Sequence, residues 1–177
     1  MFDRGQFIDD CLAAARADAS HRLVHEVVTR AFADPAAIRA ALGEPTAGQL
    51  TPLYRSDALT ILNVVWKPGM TLNPHNHRIW AVIGIYQGRE DNIFWRRLPG
   101  RADGRIEAAG AQSLLAGDVT PLGKDIIHSV TNPIERLTGA IHVYGGDFFA
   151  VPRSEWDAET LTERPCDIEK VRAMFAS

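Results

Sequence analysis

Short apolar runs separated by turn residues fill the chain after Gly48. The runs are of strand length, and nearly every gap between them contains Gly or Pro, as in Pro68-Gly69 and Gln87-Gly88. Strand-length runs at this spacing favour an antiparallel sandwich or barrel. The clearest runs are residues 59–66, 79–86, 93–97, 112–115 and 139–144. We therefore predict an all-β core.

Helical patterns flank this β region at both ends. Residues 7–32 carry apolar side chains at helical spacing, which predicts one broken helix or two successive helices. Asp34 and Pro35 then offer an N-cap and a proline in the first turn of a short helix that Gly43 would end. Near the other end of the chain, residues 167–175 again have a helical pattern.

These segments are expected to form one domain. With 177 residues and a hydrophobic fraction of 46%, the chain can bury one sizeable core, and a second is not expected. We predict that residues 1–45 form an N-terminal α-helical segment packed on the core. Residues 46–177 are predicted to form a β-barrel with a short C-terminal helical tail.

Charge and cysteine usage argue against several classes of partner. The net charge is −3, and Lys and Arg are scattered singly or in pairs, so the basic stripe that binds a phosphate backbone is missing. No apolar run approaches the roughly 18 residues that span a bilayer, and the first residues do not resemble a signal peptide. Cys11 and Cys166 suit neither a disulfide framework nor a CxxC metal site. We expect a cytoplasmic monomer or homodimer that binds a small molecule, and neither nucleic acid nor a membrane.

Two histidines separated by one residue are the first chemical signal. Alternate residues on a strand point to the same face, so His75 and His77 could hold one metal ion while Asn76 faces away. Alone, this pair is weak evidence for a metal site, because two solvent-exposed histidines at the start of a strand would give the same pattern. His128, about fifty residues further on, could supply a third ligand. Neutral imidazoles favour iron, copper, nickel or zinc over magnesium or calcium.

The other histidines have different settings. His21 and His25 are four residues apart in a helical segment, but nothing nearby completes a site, and we expect them at the surface. His142 and Tyr144 are two residues apart in a predicted strand, so their side chains share one face, either as polar core residues or as a hydrogen-bonded pair.

The histidine segments resemble the paired motifs of the cupin superfamily. The first comprises Gly69, His75, His77 and Gly88, and the second comprises Gly117, Pro121, Gly123, His128 and Asn132. This resemblance implies a double-stranded β-helix, a jelly-roll-like barrel. Where a common cupin has a glutamate ligand, this chain has Ala81 and Val82. A three-histidine face therefore results, with positions left open for substrate and dioxygen.

Within that superfamily, residues 50–147 are similar to the thiol dioxygenase branch, the cysteine and 3-mercaptopropionate dioxygenases. The resemblance implies a mononuclear Fe(II) site on His75, His77 and His128 that converts a thiol and dioxygen to a sulfinic acid. It also implies outer-sphere roles for His142 and Tyr144. Nickel, zinc or another divalent transition metal could replace iron in purified protein.

Departures from the family concern the substrate. Ala140 stands where the family has the serine of a Ser-His-Tyr chain, and Val82 stands where some animal members have a cross-linked cysteine. Arg55 is the candidate for the arginine that binds the substrate carboxylate, with a surface position as the alternative. Trp80 is expected as a core aromatic residue, with a place in the wall of the substrate pocket as the alternative.

Two acidic residues lie close to a predicted turn. Glu90 and Asp91 follow Gly88, and we expect them at a solvated hairpin end.

The main hypothesis for the function is an iron-dependent thiol dioxygenase. A cupin oxygenase that cleaves a small diketone-like substrate, which also uses three histidines, is the alternative enzyme. A metal-dependent module that binds a ligand without turnover is the non-enzymatic alternative.

Overall fold

Two antiparallel sheets face each other in the computed structural model, which describes residues 1–176. Ser177, the last residue of the predicted barrel range, lies outside the described residues. The helices are α1 (Arg4–Ala17), α2 (Arg22–Ala31), α3 (Pro35–Leu42) and α4 (Ile168–Ala176). The strands are β1 (Gln49–Arg55), β2 (Thr60–Trp66), β3 (Thr71–His75), β4 (Ala81–Gln87), β5 (Arg89–Arg97), β6 (Ile106–Leu115), β7 (Val119–Leu122), β8 (Ile127–Thr131), β9 (Thr138–Tyr144), β10 (Ser154–Trp156) and β11 (Glu163–Pro165).

The order of the strands defines a double-stranded β-helix. One sheet has five strands in the order β1-β2-β9-β4-β7, and the other has six in the order β11-β10-β3-β8-β5-β6. From β3 to β9 the chain crosses repeatedly between the sheets, so that β3 pairs with β8 and β4 pairs with β9. Strands far apart in sequence thereby become neighbours. The all-β core with flanking helices that the sequence predicts is confirmed.

The three central strands of the five-stranded sheet, β2, β9 and β4, are buried on both faces. The inner face of the sheet contributes residues such as Leu62 and Ile83 to the barrel interior. Its outer face, with Ile61 and Val143, packs against residues of α1, α2 and α3 and the loops between them. This double burial explains why β2, β4 and β9 are visible in the sequence as almost continuous apolar runs.

Several local predictions are confirmed. Residues 7–32 form two helices in succession, and Asp34 caps α3 by accepting a hydrogen bond from the backbone N–H of Ala37 at 3.0 Å. Gly43 follows α3 with φ at 86°. The predicted tail helix corresponds to α4, which lies near β1. Among residues 1–176, every helix is too short or too polar to cross a bilayer.

Candidate metal centre

The β3–β8 pairing brings the three predicted histidines together. His75 is the last residue of β3 and lies opposite His128 of β8 in the strand register. His77 lies in the segment just beyond β3, so the pair is not contained in one strand. One ligand atom from each histidine lies within 4.8 Å of the others, and the ring centroids are 4.6–5.1 Å apart. Among residues 1–176, this is the one such group of possible ligands.

Hydrogen bonds fix the orientation of two of the rings. Nδ1 of His75 is 2.8 Å from the backbone carbonyl oxygen of Asn73. Nδ1 of His128 is 2.7 Å from Oδ1 of Asn92, whose Nδ2 in turn donates to the Glu90 carboxylate at 3.0 Å. Because both oxygens can only accept, Nδ1 carries the hydrogen in each ring and Nε2 keeps its lone pair.

The free nitrogens of His77 and His128 have the spacing expected of two ligands to one divalent transition metal ion. Nε2 of His77 and Nε2 of His128 are 3.4 Å apart. Two imidazole nitrogens that each bind one ion at about 2.1 Å are separated by roughly 3.0–3.4 Å for bond angles between octahedral and tetrahedral. Burial lowers the pKa of His75 to about 4, and it lowers the pKa of His77 and His128 well below the usual value. All three rings are therefore neutral at pH 7, the form that ligates metals.

Ala81 and Val82, which stand where a common cupin has its glutamate ligand, add no polar group to the centre. Ala81 faces the barrel interior, whereas Val82 faces the helices on the outside. The donor set is thus three neutral imidazoles.

A cavity of about 250 Å³ opens above the histidines. Its wall is mostly apolar and comes from the inner faces of both sheets and from α4. Trp66 and Phe175, whose ring centroids are 5.1 Å apart, show how α4 closes one side. The apolar lining residues are Leu50, Val64, Trp66, Leu72, Val130, Phe148, Val171, Met174 and Phe175. This volume lies near the small end for ligand pockets and suits a compact metabolite.

His142 and Tyr144 line the same cavity from β9. Nδ1 of His142 is 2.9 Å from the hydroxyl oxygen of Tyr144, so the two side chains form a hydrogen-bonded pair, one of the two arrangements that the sequence left open. The Tyr144 ring packs edge-on against His77, with centroids 5.0 Å apart. Burial raises the pKa of Tyr144 well above its usual value, so the phenol keeps its hydrogen near neutral pH.

Arg55 and Trp80 are not among the residues that line the cavity. Arg55 binds Asp147 through two hydrogen bonds of 3.0 and 2.8 Å at the surface, so its guanidinium already has a carboxylate partner. Trp80 donates from Nε1 to the carbonyl of Ala19 at 3.0 Å and packs against the outer helical cluster. Its orientation follows from strand alternation, because the next residue, Ala81, faces inwards. Neither residue joins the site for which the sequence proposed it.

Arg153 is the arginine that lines the cavity. It immediately precedes β10, and Glu155 of β10 lies opposite His75 in the strand register. Its guanidinium carbon lies 4.0 Å from the centroid of the Phe148 ring, and Nη1 donates to the Phe148 carbonyl at 2.5 Å. Sequence reasoning missed this residue, since the pairing of β10 with β3 has no local signal.

Glu90 is the clearest error of the sequence reading. The expected solvated position is wrong, because Glu90 is fully buried in β5 and only its neighbour Asp91 is partly exposed. Strand alternation explains the difference: Glu90 and Asn92 share the inner face, whereas Asp91 points out and pairs with Arg89. The sequence of residues 89–92 does not show which face of β5 turns inwards, so only the fold reveals this position.

The remaining metal-binding candidates stay outside the centre. His21 precedes α2 and His25 lies within it, and both are partly exposed. Cys11 is buried under the helices, where burial raises its pKa to about 12. Cys166 is half-buried at the cavity edge, and its pKa is also raised by burial.

Comparison with known proteins gives cupins of low sequence identity. No protein-family model matches the chain. An RmlC-like cupin from Methanocaldococcus jannaschii with a double-stranded β-helix fold matches at 10% identity, over 60% of this chain and 86% of that one, with a TM-score of 0.49. A cupin superfamily protein from Desulfitobacterium hafniense DCB-2 matches at 17% identity, over 61% and 87%, with a TM-score of 0.47. Oxalate decarboxylase from Bacillus subtilis, a protein with Mn(II) centres, matches at 18% identity, over 52% of this chain and 22% of that one, with a TM-score of 0.41.

Proposed function

We propose that this protein is an Fe(II)-dependent dioxygenase that oxidises a small, carboxylate-bearing organic thiol to a sulfinic acid. The observation that carries the proposal is the cluster of three neutral histidines at the floor of a small, mostly apolar cavity. His75, His77 and His128 would hold the ion. Three protein ligands leave coordination positions for exogenous molecules, which is the arrangement of catalytic rather than structural metal sites.

The charge of the centre favours an anionic ligand. Three neutral imidazoles leave a divalent ion with its full positive charge, and coordination to such an ion deprotonates a thiol. When bound, the ion would supply the redox chemistry between thiolate and dioxygen. In the overall reaction both oxygen atoms are transferred to sulfur, so the thiol loses four electrons and dioxygen gains four.

Arg153 gives the cavity a preference for a carboxylate. Its planar guanidinium can bind a carboxylate through two parallel hydrogen bonds, and stacking on Phe148 limits its movement. Lys170, from α4, lines the cavity as well and adds positive charge. A substrate with sulfur at one end and a carboxylate a few bonds away would reach both the metal and Arg153.

A direct test is oxygen uptake by metal-free protein reconstituted with Fe(II). Cysteine, 3-mercaptopropionate and mercaptosuccinate should be compared with cysteamine, which lacks the carboxylate, and with propionate, which lacks the thiol. We expect one dioxygen consumed per thiol, a sulfinate product, and the fastest turnover with one of the thiol acids.

Two results would contradict this proposal. Oxygen uptake with acetylacetone but with none of the thiols would favour the diketone-cleaving alternative. Tight binding of a thiol acid to the iron-loaded protein without oxygen uptake would indicate a binding module.

Tyr144→Phe should retain metal but slow turnover. The substitution removes only the hydroxyl, which we propose forms a hydrogen bond with dioxygen or substrate, and it leaves all three histidines in place. A loss of about 10- to 100-fold in kcat is the range for a partner outside the coordination sphere. Kinetics and metal analysis on the same preparation check this, and an unchanged kcat would reduce Tyr144 to a packing residue.

A further inference from the structure

Glu90 is a buried carboxylate with one unsatisfied oxygen. Its side chain is inaccessible to solvent, and Oε1 accepts a hydrogen bond from Nδ2 of Asn92 at 3.0 Å. Oε2 has no hydrogen-bond partner among the described residues. Buried carboxylates are normally paired and hydrogen-bonded, because an isolated buried charge is strongly unfavourable. The free oxygen therefore requires a donor.

His142 provides the matching unsatisfied atom from the opposite sheet. Its Nε2 also lacks a hydrogen-bond partner within residues 1–176, and it lies 3.7 Å from Oε2 of Glu90. The two atoms face each other across the barrel interior, and a side-chain shift of a few tenths of an ångström would bring them within hydrogen-bond distance. The other ring nitrogen, Nδ1, already lies beside the Tyr144 hydroxyl.

The proposed metal ligand His128 sets the direction of the hydrogen bonds that run through Asn92 to Glu90. Because His128 must keep Nε2 free for the ion, its Nδ1 donates to Oδ1 of Asn92. The amide nitrogen of Asn92 then has to face Glu90, whose Oε1 accepts from it. Oε2 of the carboxylate remains as an acceptor, and a hydrogen on Nε2 of His142 is the donor that satisfies it.

We propose that Glu90 is a positioning residue that keeps the ring hydrogen of His142 on Nε2. Nδ1 of the neutral ring then accepts the hydroxyl hydrogen of Tyr144, and the lone pairs of the Tyr144 oxygen face the cavity. Ala140 stands where the thiol dioxygenases that this chain resembles have a serine, so His142 cannot pair with that hydroxyl. Glu90, from the other sheet, takes its place as the partner of His142. The position of the hydrogen does not depend on the substrate; the inference rests on the proposed function only for the role of Tyr144.

Glu90→Gln tests the proposal because it replaces the hydrogen-bond acceptor that faces His142 with a donor. The glutamine must keep its oxygen towards Asn92, whose orientation is fixed by His128, so its amide N–H₂ faces His142. Nε2 of His142 then becomes the acceptor, and the hydrogen moves to Nδ1. The same reversal turns the Tyr144 hydroxyl hydrogen from His142 towards the cavity.

The measurement is nuclear magnetic resonance of the imidazole nitrogens in ¹⁵N-labelled protein loaded with diamagnetic Zn(II). Signals of His142 are assigned by their loss in His142→Asn. The parent should show a protonated Nε2, and Glu90→Gln should show loss of that hydrogen and a protonated Nδ1. Glu107→Gln, at an exposed carboxylate paired with Arg96, is the matched control and should give the parent pattern.

Two outcomes overturn the proposal. An unprotonated Nε2 in the parent would mean that Glu90 is itself protonated and donates to His142. The same protonated Nε2 in parent and Glu90→Gln would mean that Glu90 does not control the ring. If Glu90→Gln fails to fold, the parent measurement can still overturn the proposal, because an unprotonated Nε2 in the parent contradicts it. Spectra of metal-free protein separate this result from a failure of the metal-site proposal, since His142 can be observed without zinc.

Discussion

Single substitution of His75, His77 or His128 by Ala should remove most bound metal. Each change takes one of three converging nitrogens from the site, and no described carboxylate or cysteine lies in the group to replace it. The loss of affinity should exceed the roughly 10- to 100-fold that is typical of residues outside the coordination sphere. Metal analysis of protein purified without chelator, then reloaded with Fe(II), gives the measurement.

His75→Ala is the most informative of the three variants. His75 is partly exposed to the cavity, whereas loss of His128 would leave Oδ1 of Asn92 buried without its donor, at a cost of about 1–3 kcal/mol. His75→Ala should therefore lose metal with a small change in unfolding temperature. His25→Ala, at a partly exposed position of α2 outside the histidine group, is the control. If the control empties the site and the three other variants do not, the assignment of the centre is wrong.

The sequence predicts those strands whose pattern of apolar residues matches their burial in the fold. β2, β4 and β9 are apolar along their whole length because helices cover one face and the barrel interior covers the other. β1, β10 and β11 escaped prediction. Their residues are half-exposed, or they are only three residues long, so they are recognised by their pairing partners rather than by composition.

The candidate site divides in the same way. Spacing and motif lead to His75, His77 and His128. The first two histidines are two residues apart, and the third lies in the second motif, so all three can be found in the sequence. Arg153 and Glu90 enter the site only through tertiary structure: Arg153 through the pairing of β10 with β3, and Glu90 through the face of β5 that turns inwards. A charged residue near a turn is normally solvated, and only the fold shows that Glu90 is the exception.

The choice between Arg55 and Arg153 illustrates why an anchoring residue is hard to assign from sequence. Arg55 ends a strand and Arg153 precedes one, and each guanidinium can bind a carboxylate through two hydrogen bonds. Arg55 makes this contact with Asp147, a residue of the same chain. Arg153 instead faces the cavity, and its charge contributes to lowering the pKa of His75 and His77.

We therefore expect Arg153→Ala to raise KM for a thiol acid strongly, with kcat and metal content little changed. Removing one partner of a desolvated charge pair costs about 2–5 kcal/mol, and the half-buried position of Arg153 favours the lower part of that range. A loss of about 2–3 kcal/mol corresponds to a roughly 30- to 150-fold increase in KM. Arg153→Lys should recover only part of this loss, because an ammonium group cannot form the planar two-bond contact.

Arg55→Ala is the matched control, since it removes the same side chain from a surface pair. The Arg55 side chain is half exposed, although Asp147 is more covered, and a surface ion pair contributes about 0–1 kcal/mol to stability, so this variant should fold and keep the parental KM. Cysteamine separates a charge effect from a packing effect: without a carboxylate, its KM should not rise in Arg153→Ala. If Arg55→Ala raised KM and Arg153→Ala did not, the carboxylate would be held at the surface pair that the sequence first indicated. If neither variant changed KM for any thiol acid, the substrate would need no carboxylate anchor, and the diketone-cleaving reaction would become the better explanation of the three-histidine centre.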